Sequence, residues 1–244
     1  MLPEWKTGKV IDIIDETHNT KRFFLEIEGV QNFNFNPGQF VTLDLPIHEQ
    51  KNKRWRSYSI ASSPNGTNII ELVIVKLQGG LGTGYLFNFD EVQVGATFPV
   101  RGPQGKFILP EELDKDLFLI CTGTGIAPFR SMVQYLHQQK IMHKKVHLIV
   151  GCRKLTDALY FKDLIELAKT EKNFYYYPVF SREEQVPDGA YKGYVHQVYE
   201  QLLTEEKPAA RFYLCGWKNM IDEAKERIIN LGYGKTDVHL ELYG

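Results

Sequence analysis

Cysteine is scarce in this sequence, and its placement argues against several kinds of site. The 244 residues include three cysteines, Cys121, Cys152 and Cys215, each at the end of an apolar segment. Their wide spacing matches neither a disulfide framework nor the ligand pattern of a zinc site or a plant-type iron–sulfur cluster. We therefore expect no metal site, and any redox activity would not depend on a cluster held in this chain.

An excess of one charge and long apolar runs are also missing. The net charge is -1 at pH 7 and the pI is near 6.7, which argues against nucleic acid as a partner. No apolar run approaches the roughly 18 to 20 residues that a bilayer span requires. Residues 1–6 lack the charged-then-apolar order of a signal peptide. We expect no membrane span and a cytoplasmic location.

The first part of the chain has the pattern of short strands. With 43% hydrophobic and 24% charged residues, the chain is large enough for one large or two modest domains. Glycine, proline and asparagine separate predicted strands at 9–14, 20–27, 39–45, 55–62, 69–77 and 97–100. Such closely spaced strands indicate an antiparallel barrel, with a single short helix at 84–89. The pair Asn65-Gly66 predicts a two-residue hairpin turn.

After residue 110 the pattern changes to apolar runs that alternate with helical segments. The predicted strands are 117–121, 146–150, 174–180, 211–215 and 238–242. The predicted helices are 128–140, 158–169, 195–203 and 218–231. This alternation favours a five-stranded parallel sheet flanked by helices, wound in the nucleotide-binding manner. We therefore predict two domains, 1–110 and 111–244.

One segment of the first domain carries side chains suited to a flavin. In residues 56–63, Arg56 can offer its planar guanidinium to a pyrophosphate, and Tyr58 can place its ring against an aromatic cofactor. Ser59 can hydrogen-bond a ring nitrogen. Taken alone, the segment is more typical of an ordinary hairpin that carries a solvated arginine.

A glycine-rich segment follows the first predicted strand of the second domain. Residues 121–128 contain Gly123 and Gly125, which let the backbone approach a ligand, and Pro128, which suits the first turn of a helix. A strand that leads through such a turn into a helix is where phosphates bind. The alternative is a glycine-rich turn with nothing bound, since Pro128 replaces the third glycine of the dinucleotide fingerprint.

Six stretches in the same order resemble the ferredoxin–NADP reductase family of flavoproteins, in the form that contains FAD without an iron–sulfur domain. They cover nearly the whole chain: residues 56–59, 80–86, 102–105, 123–131, 215–216 with Met220, and 241–243. The resemblance implies a Greek-key barrel that holds FAD, followed by an NADP-binding domain.

The resemblance also implies the residues of the flavin site. The FAD-binding positions are Arg56, Tyr58, Ser59, Lys76, Gly82, Thr83 and Tyr243. The family usually has serine where this chain has Thr83, and a threonine hydroxyl can still bind a diphosphate. Tyr243 resembles the family's terminal aromatic, which stacks on the flavin. Gly244 follows it and puts the gating movement of that ring in doubt.

For the nucleotide, the resemblance implies a second set of residues. The NADP-binding positions are Thr122, Gly123, Thr124, Gly125, Arg153, Ser181, Arg182, Lys192, Tyr194, Cys215 and Gly216. The catalytic positions are Ser59, Cys215, Glu241 and Tyr243. Ser181, Arg182, Lys192 and Tyr194 resemble a clamp for the adenosine 2'-phosphate. Glu183 and Glu184 leave the alternative open, because a carboxylate that binds ribose hydroxyls favours NADH.

The implied function is hydride transfer between NADPH and FAD, followed by single-electron transfer to ferredoxin or flavodoxin. The basic residues Lys51, Lys53, Arg54 and Arg56 can steer such an acidic carrier. One alternative is the NADH-dependent flavoprotein component of a multi-subunit oxygenase. Another is a flavin- and nucleotide-binding subunit without turnover. A monomer is favoured.

Overall fold

The structure, a computed structural model, describes residues 2–243 and divides them into two compact units. One unit contains the chain up to Leu109 together with Ala127–Tyr135, and the other contains Pro110–Ile126 and the chain from Leu136 onward. The main division lies next to the predicted domain boundary. The additional segment Ala127–Tyr135 could not be assigned from sequence, because its contacts are with residues far away along the chain.

Six antiparallel strands form the first unit. They are β1 (Trp5–Thr17), β2 (Thr20–Ile27), β3 (Phe40–Asp44), β4 (Trp55–Ser59), β5 (Ile69–Val75) and β6 (Thr97–Gln104). Their order in the sheet is β4-β3-β6-β1-β2-β5. An antiparallel bridge between Ile60 and Leu72 joins the two outer strands. The sheet therefore closes on itself, and the predicted antiparallel barrel is confirmed.

The barrel is held together by one apolar core. Each strand directs alternate side chains inward, so that Val10, Leu25, Val41, Ile70 and Leu72 are fully buried. Burial of such side chains contributes about 1.5 to 3 kcal/mol each, which makes this core the main stabilising feature of the unit.

The short helix of the first unit, α1, begins earlier than predicted. It spans Leu81–Leu86 instead of 84–89. The N–H of Leu77 donates to Oγ1 of Thr83 at 3.1 Å, and the N–H of Gly80 donates to the carbonyl of Leu77 at 3.1 Å. These bonds fix the turn before the helix and thereby its start. The sequence hid this start because the segment contains three glycines in five residues, 80–84.

The predicted hairpin turn at Asn65-Gly66 is wrong. Strand β4 ends at Ser59 and β5 begins at Ile69, so a loop separates them. Within that loop, the side-chain oxygen of Asn65 accepts hydrogen bonds from the N–H and the hydroxyl of Thr67, at 3.1 and 2.7 Å. Asparagine thus closes a local side-chain turn, which competes with the two-residue hairpin.

The second unit is a parallel sheet with helices between its strands. The strands are β7 (Asp116–Thr122), β8 (Val146–Cys152), β9 (Phe174–Phe180), β10 (Tyr191–Lys192), β11 (Ala210–Gly216) and β12 (Val238–Leu242). The helices are α2 (Ile126–Gln138), α3 (Phe161–Thr170), α4 (Val195–Glu205) and α5 (Lys218–Asn230). The strand order is β10-β9-β8-β7-β11-β12, and every pair is parallel.

The parallel nucleotide-binding architecture is confirmed, with two differences from the prediction. The sheet has six strands instead of five, because β10 adds a two-residue edge strand that is too short to give a sequence period. Helix α3 begins at Phe161 instead of 158, since a short 3-10 turn at Leu155–Asp157 and an extended Ala158 precede it.

An aromatic ladder crosses the sheet near the beginning of its strands. The ring of His147 stacks on Phe118 at 4.5 Å and on Tyr175 at 5.3 Å, and Phe118 stacks on Phe212 at 5.3 Å. Burial lowers the pKa of His147 to about 4, with a smaller lowering from the charge of Lys145. His147 is therefore a neutral core residue.

None of the helices in residues 2–243 is both long and apolar enough to cross a membrane.

Candidate functional site

In the first unit, the predicted flavin residues lie on β4. Arg56 and Tyr58 pair with Leu43 and Val41 of β3, and the last residue of the strand, Ser59, is buried. One guanidinium nitrogen of Arg56 donates to the carbonyls of Lys53 and Trp55, at 3.0 and 2.8 Å. The side chain is thereby oriented by its own backbone.

Tyr58 is anchored in the barrel core by its ring. It packs against the buried apolar cluster, and burial raises the pKa of its phenol to about 12, although the charge of Arg56 lowers it. Tyr58 is therefore neutral at physiological pH. A neutral ring fixed in this way can serve as a rigid apolar surface.

Gly82 brings helix α1 against Arg56. A Cβ atom at this position would lie 2.9 Å from both Cγ and Nε of Arg56, closer than real side chains allow. Glycine therefore lets the first turn of the helix touch the guanidinium. Free N–H groups at a helix start, beside a guanidinium, suit an anionic diphosphate. The structure thus brings Arg56 and Gly82 together, as the predicted site requires.

The two remaining flavin positions of this unit have different surroundings. The hydroxyl of Thr83 is within 3.4 Å of the carbonyls of Leu77 and Gly80, besides accepting the N–H of Leu77. It stabilises the turn before α1. Lys76 is exposed just beyond β5, with its ammonium 6.0 Å from the centre of the Phe87 ring.

A buried ionic cluster that joins β2, β5 and α2 was not predicted from the sequence. Glu71 is 3% exposed, and its carboxylate binds Nε of Arg22 at 2.6 Å and a guanidinium nitrogen of Arg130 at 2.8 Å. The same nitrogen of Arg130 donates to the carbonyl of Ala61 at 2.9 Å, and Ser131 donates to the carbonyl of Ser62 at 2.7 Å. The residues that follow Ser59 are therefore held by helix α2. In the sequence, the sign of this cluster is the single glutamate within the otherwise apolar run of β5.

In the second unit, the glycine-rich segment forms a tight turn between β7 and α2. Gly123–Gly125, which includes Thr124, is a 3-10 turn, and Gly123 has a φ of 54°. A Cβ at Gly125 would lie 2.5 Å from the carbonyl oxygen of Cys215. Glycine is thus needed where this turn meets the end of β11.

One hydroxyl at this turn is buried and unsatisfied. Oγ1 of Thr122 has no hydrogen-bond partner within residues 2–243, although the atom is shielded from solvent. A Cβ at Gly216, which has a φ of 143°, would lie 2.5 Å from this oxygen. A buried polar atom without a partner costs stability, so this hydroxyl is suited to a ligand. The structure therefore places Thr122, the 123–125 turn and Gly216 next to one another.

The predicted catalytic residues of this unit lie on neighbouring strands. Cys215 of β11 pairs with Glu241 of β12, and the N–H of Tyr243 donates to the carbonyl of Gly216 at 3.0 Å. Burial raises the pKa of the Cys215 thiol well above its usual value, and the charge of Glu241 raises it further, whereas a hydrogen bond with the Tyr243 side chain lowers it. Cys215 is thus a neutral thiol. Gly244 lies outside the described residues.

Two arginines lie side by side beyond adjacent strand ends. The N–H of Arg182, after β9, donates to the carbonyl of Arg153, after β8, at 2.8 Å. Ser181 donates its N–H to the carbonyl of Cys152 at 3.0 Å. Both arginine side chains are exposed, and neither forms an ion pair or hydrogen bond with the part of the chain that the structure describes.

One acidic side chain of the loop after β9, that of Glu183, has a hydrogen-bond partner. The carboxylate of Glu183 accepts the N–H of Leu155 at 2.7 Å, and so holds the 3-10 turn that follows Arg153. The ammonium of Lys192 lies 3.3 Å from the carbonyl of Glu184. Tyr194, at the start of α4, is 67% exposed. An exposed aromatic ring and free cations are therefore available near one loop.

Comparison with known proteins recognises both parts of the chain. The family model of the oxidoreductase FAD-binding domain matches residues 7–108, and that of the oxidoreductase NAD-binding domain matches residues 119–226. The chain is 31% identical over 218 residues to ferredoxin–NADP reductase B of Sorangium cellulosum, covering 86% of each protein. It therefore belongs to the ferredoxin reductase-like family of flavin- and pyridine-nucleotide-binding oxidoreductases, and the predicted family is confirmed.

Two further similarities show the range of this family. The chain is 32% identical over 198 residues to the anthranilate 1,2-dioxygenase electron transfer component of Acinetobacter baylyi, covering 81% of this chain and 55% of that protein. It thus spans about half the length of that relative. A ferredoxin NADP+ reductase from Neisseria gonorrhoeae, solved with bound FAD and NADP, has the same fold, with a TM-score of 0.81 and 23% identity over 98% of both chains.

Proposed function

We propose that this protein transfers a hydride between NADPH and FAD and single electrons between FAD and ferredoxin or flavodoxin. The observation that supports NADPH most directly is the pair of unengaged guanidiniums at Arg153 and Arg182. Bound flavin supplies the redox chemistry, because it exchanges a hydride with nicotinamide and electrons singly with a carrier. The protein positions and tunes the two cofactors.

For FAD, we propose that Arg56 and the first N–H groups of α1 bind the diphosphate, as the contact at Gly82 favours. Tyr58 provides an apolar surface for the flavin ring, and the Ser59 hydroxyl bonds a ring nitrogen. Lys76 and the backbone beside Thr83 complete the binding set. Tyr243 stacks on the flavin in the family, and this assignment stays a prediction.

Gly82→Ala is expected to weaken FAD binding by about 1.5 to 3 kcal/mol, because the new methyl group displaces Arg56 from a charge-assisted contact. The measurement is titration of the flavin-free protein with FAD, followed by fluorescence. Gly84→Ala is the matched control on the same helix, since a Cβ there meets no atom within 4 Å. A similar loss of affinity in both variants would contradict the assignment of Arg56.

For the nucleotide, we propose that Arg153, Ser181, Arg182 and Lys192 bind the adenosine 2'-phosphate, and that Tyr194 contacts the adenine. A dianionic phosphate requires cationic donors, and the two loops that carry these residues offer cations with no ion-pair partner in the described chain. One oxygen of the Glu183 carboxylate is engaged by the N–H of Leu155, which makes this carboxylate less available to ribose hydroxyls.

For the nicotinamide end, we propose that Thr122, the 123–125 turn and Gly216 bind the nucleotide. Cys215 contributes a neutral, buried surface beside it, consistent with the raised pKa of its thiol. Glu241, the neighbour of Cys215 across the sheet, provides a carboxylate that can hold or relay a proton.

A second function is favoured by a specific finding. The Acinetobacter baylyi relative is an electron transfer component of a dioxygenase, so we retain an NADH-dependent reductase component of an oxygenase system as the alternative. A binding subunit without turnover is less consistent with the set formed by Ser59, Cys215 and Glu241. The cytoplasmic location and the monomeric state stay predictions.

Anaerobic stopped-flow reduction of the purified flavoprotein by NADPH and by NADH tests the proposed function. Absorbance at the flavin maximum reports the hydride transfer directly. Faster reduction at lower concentrations of NADPH is the expected result. Equal or better use of NADH would favour the oxygenase-type reductase, and a colourless or unreactive protein would overturn the assignment as an enzyme.

A further inference from the structure

An arginine on the outside of the barrel lies against two tryptophan rings. The guanidinium carbon of Arg101, on β6, lies 4.6 Å from the ring centre of Trp5 and 4.8 Å from that of Trp55. The two rings are 5.8 Å apart. The strand registers produce this arrangement. Arg101 pairs with Trp5 of β1 on one side and with Thr42 of β3 on the other. Asp44, two residues after Thr42 on β3, pairs with Trp55 of β4. We call these three residues the Trp–Arg cluster.

The Trp–Arg cluster is exposed and incompletely satisfied. Trp5 is 38% exposed and Trp55 is 36% exposed, although tryptophan is usually well buried. Nε of Arg101 is buried and has no hydrogen-bond partner, and no carboxylate in residues 2–243 pairs with its guanidinium. Two large apolar rings and an unneutralised cation are therefore presented together on one sheet face.

The charges next to the Trp–Arg cluster are mainly positive. Arg54 is neutralised by Asp44 at 2.7 Å, but the exposed side chains of Lys51 and Lys53 have no ion-pair partner in the described chain. The exposed carboxylates nearest in the sequence are Glu4, which precedes Trp5, and Glu49, two residues before Lys51. The excess of cations around two apolar rings is complementary to an acidic protein surface.

We propose that the Trp–Arg cluster is the docking site of the acidic electron-carrier protein, an inference that rests on the proposed function. A carboxylate of the carrier binds the free edge of the Arg101 guanidinium, and the rings of Trp5 and Trp55 bury apolar surface against it. Contact with both rings restricts the guanidinium before the carrier arrives, which reduces the entropy lost on binding. Tryptophan and arginine are also the side chains that most often dominate the energy of protein interfaces.

The test separates electron transfer to a carrier from electron transfer to a small acceptor. Trp55→Ala and Arg101→Gln are compared with the wild-type protein, using NADPH and either ferricyanide or a plant-type ferredoxin or flavodoxin coupled to cytochrome c. We expect the KM for the carrier to rise about 30-fold, with ferricyanide reduction unchanged. Arg101→Gln should also reduce the dependence of that KM on ionic strength. Phe89→Ala, which removes a 73% exposed ring of the same unit, is the matched control.

Each contrary result has a distinct meaning. Wild-type protein that does not reduce ferricyanide would refute the proposed function itself. Active variants with an unchanged KM for the carrier would overturn the docking site alone. A wild-type protein that reduces ferricyanide but neither carrier would also overturn it, and would favour an oxygenase as the direct partner.

Discussion

Glu71→Gln is expected to lower the free energy of unfolding by about 3 to 5 kcal/mol, because it removes the negative charge from a buried ion-pair cluster. Both oxygens of the Glu71 carboxylate are engaged, one by Arg22 at 2.6 Å and the other by Arg130 at 2.8 Å. The side chain of Arg130 is 8% exposed and that of Arg22 is 18% exposed. Without the carboxylate charge, the two largely buried guanidiniums lose the negative charge that they share, and water does not replace it.

Urea-induced unfolding followed by tryptophan fluorescence measures this effect, since Trp5 and Trp55 both lie in the first unit. Glu166→Gln is the control, because Glu166 forms a 2.7 Å ion pair with Lys169 but is 68% exposed. An exposed pair of this kind contributes about 0 to 1 kcal/mol. If Glu71→Gln and Glu166→Gln lower the free energy of unfolding by similar amounts, the buried ion pairs of Glu71 contribute no more to stability than an exposed pair.

A double-mutant cycle tests whether Glu71 acts through Arg130. Arg130→Met removes the cation, so Glu71→Gln should then cost less than it does beside the intact arginine. Strict additivity of the two changes would contradict a direct interaction. The same variants should weaken the hold of α2 on Ala61 and Ser62, which follow the flavin residue Ser59 directly.

Arg182→Ala is expected to reduce the affinity for NADPH by about 1.5 to 3 kcal/mol, roughly a 10- to 150-fold change, because a charge-assisted contact with the 2'-phosphate is lost. The affinity for NADH should stay the same, since NADH lacks that phosphate. Adding Arg153→Ala should weaken NADPH binding further, because the backbones of Arg153 and Arg182 are hydrogen-bonded to each other and both exposed side chains start from that point.

The concentration of each nucleotide at half-maximal rate of flavin reduction gives these affinities in stopped-flow experiments. Arg211→Ala provides the control, as Arg211 is an arginine of the same unit that pairs with Asp114 at the other end of the sheet. Equal losses for NADPH and NADH in Arg182→Ala would indicate general damage to the domain. Unchanged kinetics with NADPH would remove Arg182 from the phosphate site.

Glu183 tests the same specificity from the opposite side. Glu183→Gln keeps an acceptor for the N–H of Leu155, and removes a negative charge from the residue next to Arg182, where its loop meets the loop of Arg153. NADPH binding should therefore improve slightly or remain unchanged. A loss of NADH use would instead show that the carboxylate binds the ribose hydroxyls.

Features that depend on local patterns could be predicted from the amino-acid sequence. Closely spaced strands predicted the barrel, and alternating strands and helices predicted the parallel sheet. The turn of Gly123 and Gly125 was recognisable because a strand runs directly into it and a helix follows directly. The family was recognisable because its motifs are contiguous. Local backbone preferences and side-chain periods are written in neighbouring residues, so these features need no knowledge of distant contacts.

Contacts between residues that are distant along the chain could not be predicted in this way and are seen in the folded structure. Glu71 is 49 residues from Arg22 and 59 from Arg130, and its run of apolar neighbours gave no hint of either partner. The partner of Glu183 is a backbone N–H 28 residues away, which no side-chain pattern encodes. Arg101 reaches Trp5 and Trp55 only through the register of three non-consecutive strands. Such contacts follow from how the chain closes on itself, because packing and charge pairing depend on distance in space and not along the sequence.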